Sequence, residues 1–270
     1  MKLSSRILTS LLIIIVAGLL FSNFALKKEY NKIDKGDLYW NYTTVLTQPF
    51  KYLKIDGGNI THIAFEQNKN YSVRVLNDWQ RYNPKLIQSY VKNDTLFIKF
   101  IYKSNNQNEK DWMKSSTLVR VFSPELLSVE GFNTNFEMFQ LKQKHIAVNI
   151  SGKSQFEVES MIPYMDSINV VQKDSASVAF EMSPDYKSNK RTDEVINKGL
   201  QVHFGDRPIK GSDLADIKSD ESMDINSVKA NIEGYSILDL GHAQIQSLQL
   251  KIADSSAIIL SGGALKGIKK

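Results

Sequence analysis

Four histidines, one acidic run and several Asp-Ser pairs are the places where this sequence could do chemistry. His62, His145, His203 and His242 are scattered, with no H-x-x-H or H-E-x-x-H spacing to bring two imidazoles to one metal ion. They read as surface or strand residues. Asp213, Asp216, Asp220, Glu221 and Asp224 form the densest acidic cluster. A calcium ion needs roughly six to eight oxygens converging on one point, and this run lacks the Asp-x-Asp-x-Asp-Gly spacing that achieves it. A solvated loop face is expected there. No G-x-S-x-G elbow and no G-x-x-x-x-G-K-[ST] phosphate loop occurs, and Gly262-Gly263 lacks the strand–helix context of a nucleotide loop, so it reads as a turn. Cysteine is absent, which removes disulfides, thiolate metal sites, a cysteine nucleophile and lipid attachment through an N-terminal Cys. No catalytic, cofactor-binding or metal-ligating residue is assigned, and a non-enzymatic protein is expected.

One carboxylate pattern keeps an enzymatic alternative open. Glu137, Glu157 and Asp239 sit at equivalent polar positions of similar segments, so they are expected to share a face, and paired carboxylates are what glycoside hydrolysis requires. Alternating polar residues are also what any half-exposed strand shows.

The elements that would position these residues follow from a repeat. The segments Asn135–Met138, Gln155–Val158, Ser177–Phe180, Ile237–Leu240 and Ala257–Leu260 align as short alternating strands, each led by a small residue: Thr134, Ser154, Ala176, Ser236 and Ser256. Their centres at 136, 156, 178, 238 and 258 are spaced by 20, 22, 60 and 20 residues. A second short strand precedes each: Leu127–Val129, Ile146–Val148, Ile168–Val170, Val228–Ala230 and Leu248–Leu250. Polar corners such as Gly152-Lys153-Ser154, Asp174-Ser175-Ala176, Gly234-Tyr235-Ser236 and Asp254-Ser255-Ser256 separate the two, and their serines and aspartates read as turn chemistry. A unit this size cannot bury its apolar side alone. Stacked, its equivalent positions form aliphatic columns, which is the signature of a β-solenoid with rungs of about 20 residues.

Residues 181–222 interrupt the pattern with Lys, Asp, Ser and Asn, although Leu200, Val202 and Phe204 alternate as a strand would. Either a long loop bulges from one rung or two degenerate rungs are present. The interval of 60, three times 20, favours degenerate rungs plus an excursion, with a faint further copy at Asp220–Met223. Between Phe50 and Phe122, period-two strands, a Gly57-Gly58-Asn59 turn and a hairpin around Lys92-Asn93-Asp94 read as a β-meander without helical periodicity.

Ahead of this lies Ile7–Leu26, 20 uncharged residues of which 13 are Leu, Ile, Val or Phe. As a helix it spans about 30 Å, the thickness of a bilayer's hydrocarbon core. Those residues contribute on the order of −4 to −8 kcal/mol toward insertion. Lys2 and Arg6 precede the helix, whereas Lys27–Asp37 is nearly balanced, so residues 1–6 are expected in the cytoplasm and the rest outside it. A cleaved signal peptide is the alternative, although the positions near Asn23 and Ala25 make a poor cleavage site and the apolar run is long for one. Residues 27–49, with Tyr30, Tyr39, Trp40 and Tyr42, read as a juxtamembrane linker. The net charge of +5 is spread thinly, and no Lys/Arg run suggests nucleic acid as a partner.

The order of these features resembles one family. A hydrophobic segment, an opening strand Phe50–Ile55 with its Gly-Gly turn, the strand Tyr71–Val75, the turn and strand Asn93–Ile98, and 20-residue rungs ending in Ser261-Gly262-Gly263-Ala264 are similar to the "putative auto-transporter adhesin, head GIN domain" family of bacterial envelope proteins. The resemblance covers about 50–268. It implies an all-β fold, a right-handed parallel β-helix with a β-rich N-terminal part, and it carries over no functional residues. The chain is thus expected to be a membrane-anchored extracytoplasmic adhesive or scaffolding module, periplasmic in a cell with two membranes. The bilayer is its partner through residues 7–26, and an envelope protein or glycan is its second. The alternative is a polysaccharide-binding or polysaccharide-cleaving β-helix.

Overall fold

The computed structural model describes residues 3–31, 33–82, 87–101, 116–158, 164–180, 224–241 and 243–260. It divides into two compact units, 1–43 and 44–270. The first is dominated by helix α1, Leu3–Tyr30. The helix outruns the expected 7–26 because Lys27, Lys28 and Glu29 are good helix formers, and the two lysines complement the negative end of the helix dipole. From Ile7 onward its Leu, Ile and Phe side chains are exposed all round, and Ile7–Tyr30 is long and apolar enough to cross a membrane. Beyond it, Asp34 Oδ1 accepts from the Gly36 N–H and Asp37 Oδ1 from the Tyr39 N–H, both at 2.9 Å, turning the chain twice. Within the expected linker, Tyr42–Leu46 forms strand β1.

Among its described residues the second unit is all-β apart from one short helix. Its strands are β2 (Tyr52–Asp56), β3 (His62–Gln67), β4 (Ser72–Leu76), β5 (Ile87–Lys92), β6 (Thr95–Phe100), β7 (Thr117–Ser123), β8 (Ser128–Phe132), β9 (Asn135–Gln140) and β10 (His145–Ser151). There follow β11 (Gln155–Val158), β12 (Tyr164–Gln172), β13 (Ser177–Phe180), β14 (Asp224–Ile232), β15 (Ile237–Asp239), β16 (Gln244–Ile252) and β17 (Ala257–Ile259). Helix α2, Asn77–Tyr82, lies between β4 and β5 and buries Trp79 in the core. Its six residues are too few to display a helical period in the sequence.

Two sheets result. The first runs β1-β4-β7-β3-β9-β11-β13-β15-β17 and the second β16-β14-β12-β10-β8-β2-β6-β5. From β8 onward the chain alternates between them, and every neighbouring pair among these strands is parallel. The repeat positions meet in register: Phe136 pairs with Phe156, Phe156 with Val178, Val178 with Leu238, and Leu238 with Ile258. The first four are fully buried. The opposite wall has matching columns, Leu53, Val129, Val148, Val170 and Ala230 among them. Each large side chain so covered contributes about 1.5–3 kcal/mol.

Two expectations are corrected. The N-terminal strands are not a meander: β2 pairs in parallel with β6 and β8, and β3 with β7 and β9, while β4–β7 and β5–β6 are antiparallel. The excursion through β4, α2 and β5 returns the chain as β6–β7 on one side of β2–β3, and β8–β9 then continues from the other. Degenerate rungs find no place between Val178 and Leu238 either, because β12 pairs directly with β14 and β13 with β15. Leu200, Val202, Phe204 and the Asp220–Met223 copy lie outside the described residues.

The corners explain the small residues. Gly234 has φ +75°, and a Cβ there would stand 2.4 Å from the carbonyl oxygen of Asp174 at the neighbouring corner. Buried Ser154 accepts the Thr134 N–H on Oγ at 3.1 Å and donates to the Ser151 carbonyl at 2.6 Å. Ser236 repeats the arrangement with the Ala176 N–H and the Glu233 carbonyl. These hydroxyls satisfy buried backbone groups that a tight corner would otherwise strand.

Candidate functional site on the outer face of the second sheet

The register settles where the carboxylates of the enzymatic alternative stand. Glu137 pairs with Glu157, Glu157 with Ala179, and Ala179 with Asp239, so the three do share one outward column of the first sheet. Glu137 and Glu157 are on adjacent strands, about 4.8 Å apart along the sheet. Both project from the same face in the same direction, whereas glycoside hydrolysis places its two carboxyl groups on either side of the scissile bond.

His145 makes a more suggestive contact. Its Nδ1 lies 2.9 Å from Ser167 Oγ and its Nε2 3.5 Å from Asp166 Oδ2. An acyl-transfer triad also needs N–H donors directed at a developing oxyanion. The Asp166 and Ser167 N–H groups instead both donate to the Lys144 carbonyl, at 2.9 and 3.1 Å. Neighbouring Tyr164 is drawn into the same group: its hydrogen bond to Asp166, then burial, then the Asp166 charge raise the phenol above its ordinary 10.0. His62 Nδ1 lies 3.2 Å from Asn135 Nδ2. His203, His242, Asp213, Asp216, Asp220 and Glu221 fall outside the described residues, and Asp224 opens β14. Among the described residues no group of three or more His, Asp or Glu side chains converges as metal ligands would.

Sequence reasoning missed a different feature. On β8, β2, β6 and β5 the inward positions are mostly apolar, as in Leu53, Ile55, Leu96 and Ile98, yet several outward positions carry aromatic rings. Three rows cross these four strands: Ser128, Tyr52, Thr95 and Lys92; Glu130, Lys54, Phe97 and Tyr90; Phe132, Asp56, Lys99 and Gln88. Tyr90 and Phe97 stack at 5.0 Å between centroids with an interplanar angle of 10°. Tyr52, Tyr90 and Phe132 are 40%, 50% and 49% exposed. Lys54 Nζ lies 2.6 Å from Glu130 Oε1, and Lys99 Nζ 3.5 Å from Asp56 Oδ2. Pairs this exposed add little stability, so their effect is to fix charges between the rings.

The array is held by local sequence. Asn93 and Asp94 both adopt positive φ, 51° and 56°, as the two central residues of a tight hairpin turn do, and this sets Tyr90 opposite Phe97. The Asp94 carbonyl accepts the N–H groups of Lys51 and Tyr52 at 2.8 and 3.1 Å, and the Leu127 N–H donates to the Lys51 carbonyl at 2.8 Å. The hairpin, β2 and β8 are thereby tied at one end. The legible signal was aromatic residues in the polar phase of an alternating strand.

Comparison with known proteins adds the following. Solved structures similar to this chain include one described as a "putative adhesin" from Bacteroides fragilis NCTC 9343, at 11% identity and TM-score 0.37, covering 82% of this chain and 96% of the other. Another, also described as a "putative adhesin", is from Parabacteroides merdae ATCC 43184, at 11% identity and TM-score 0.38, covering 82% and 95%. A third, from Parabacteroides distasonis ATCC 8503, is described as a "putative lipid binding protein", at 11% identity and TM-score 0.37, covering 82% and 94%. No protein-family model and no curated protein matches the chain.

Proposed function

We propose that this chain is a membrane-tethered, non-enzymatic interaction module of the cell envelope, built as a right-handed parallel β-helix of the head GIN domain kind. Its role is adhesion or scaffolding. The N-terminus is cytoplasmic, α1 spans the bilayer, and the β unit is extracytoplasmic. The parallel columns support the β-helical reading, and the apolar, exposed run of α1 from Ile7, with Lys2 and Arg6 ahead of that run, supports the anchor.

The observation that carries the functional reading is the set of rings spread over the outer face of β8, β2, β6 and β5. Rings are costly to leave in water, and here a strand framework holds them at fixed spacing. The test uses the full chain with a C-terminal tag in its native host. Expected are membrane fractionation, digestion of the β unit by protease added outside the cytoplasmic membrane, and envelope polysaccharide or protein cross-linked to the β unit at low and high salt. A protease-resistant β unit inside intact cells, or no envelope component retained at any salt, would sink the proposal.

A further inference from the structure

We infer that the outer face of β8, β2, β6 and β5 is a binding site for an uncharged glycan chain. This rests on the interaction-module reading and names the ligand class of that surface. Four properties of the face select it.

The backbone of these strands is committed to ladders on both sides except at the β5 edge, so this face is read by side chains alone. Its side chains combine rings with carboxylates and ammonium groups at fixed spacing: Tyr52, Tyr90, Phe97 and Phe132 beside Lys54–Glu130 and Lys99–Asp56. A pyranose has the matching duality, with an apolar C–H surface that packs on rings and a rim of hydroxyls that donate to carboxylates and accept from ammonium groups. The charges also discriminate. Of the three lysines in these rows, Lys54 and Lys99 each stand against a carboxylate, so an anionic polymer would have to displace Glu130 and Asp56 or rely on Lys92. Finally, an extended polymer fits a face whose rings spread over three rows and four strands, rather than lining an enclosed pocket.

The test uses the full chain in detergent micelles, titrated with soluble neutral β-glucan, mannan and xylan and, separately, with alginate and heparin. Binding to at least one neutral polymer is expected, with little change between low and high salt. Tyr90→Ser combined with Phe132→Ser is expected to weaken it at least tenfold, while Tyr90→Phe retains it and Glu137→Gln, on the other sheet, leaves it unchanged. Hydrogen exchange on the unaltered chain gives a second readout that needs no variant: the bound neutral polymer should protect amides in 52–56, 87–100 and 128–132. The inference is overturned if no neutral polymer binds, if only alginate or heparin binds with steep salt dependence, if the double variant binds as well as the parent, or if protection falls elsewhere. Envelope material still captured by the double variant would leave the interaction module standing and reject this face. Loss of all envelope capture in the unaltered chain would reject both.

Discussion

Phe136 and Phe156, 20 residues apart in sequence, lie face to face in the core with ring centroids 5.8 Å apart and planes 25° from parallel. They are register partners on adjacent parallel strands, and Phe156 also packs on Phe180 at 5.9 Å. Removing the Phe156 ring therefore opens a void touching three strands, β9, β11 and β13, at once. Phe156→Ala is expected to cost about 3–5 kcal/mol and Phe156→Leu markedly less. Denaturant midpoints of the two variants check this; equal midpoints would mean the column collapses around the gap.

Gly234 tests the corners in a different way. Its positive φ costs an L-residue about 1–2 kcal/mol, and its Cβ would also strike the Asp174 carbonyl oxygen. Gly241, with φ +52°, offers a comparison in which the nearest atom, the Phe180 carbonyl oxygen, is 3.3 Å away. Gly234→Ala is expected to lower the unfolding midpoint clearly more than Gly241→Ala. If the two losses are equal, backbone conformation alone explains them and the close approach of neighbouring corners does not.

The columns were legible because stacking copies one chemical environment at a nearly constant interval, so Phe136, Phe156, Val178, Leu238 and Ile258 announce one another. The same logic failed where that interval does not hold. Leu53 pairs with both Leu96 and Val129, partners brought together by the excursion through β4, α2 and β5. Nothing periodic links those positions, and the local alternation fits a meander equally well. The 60-residue interval misled for a related reason: divisibility by 20 is arithmetic, whereas Val178 and Leu238 are paired directly. The outer face was missed because inward residues were read for their apolarity and outward residues only for their polarity. Tyr52, Phe97 and Phe132 satisfy neither rule, and their significance emerges only when four strands place them in neighbouring rows.

Tyr164 gives a prediction in pH. Its neutral hydroxyl bonds to Asp166, and ionisation would set a phenolate beside that carboxylate, so its pKa lies above 10.0 in the folded chain. A raised folded-state pKa means the contribution is complete below the unfolded value, near 10, and is lost as pH climbs through the folded one. Asp166→Asn should return Tyr164 toward its ordinary titration and remove its share of alkaline destabilisation. An NMR titration with labelled tyrosine, assigned by Tyr164→Phe, reads the shift directly. An ordinary midpoint in the parent chain, or no movement in Asp166→Asn, would refute the coupling.

The helix can be tested by charge. An arginine at the bilayer centre costs about 2.5–3.5 kcal/mol on the insertion scale, against the roughly −4 to −8 kcal/mol from the apolar side chains of α1. Val16→Arg alone should therefore leave the helix inserted, though less completely. Ile13→Arg combined with Val16→Arg adds a second charge one turn away, bringing the cost close to the whole insertion energy. The expected outcome is carbonate-resistant membrane retention for the parent, a measurable loss for Val16→Arg, and release or failed export for the double variant. The mass of the mature chain separates the two roles such a helix can have. An anchor keeps residues 7–26 and its retention tracks these substitutions, whereas a cleaved signal peptide yields a shorter chain that is soluble after export even without them.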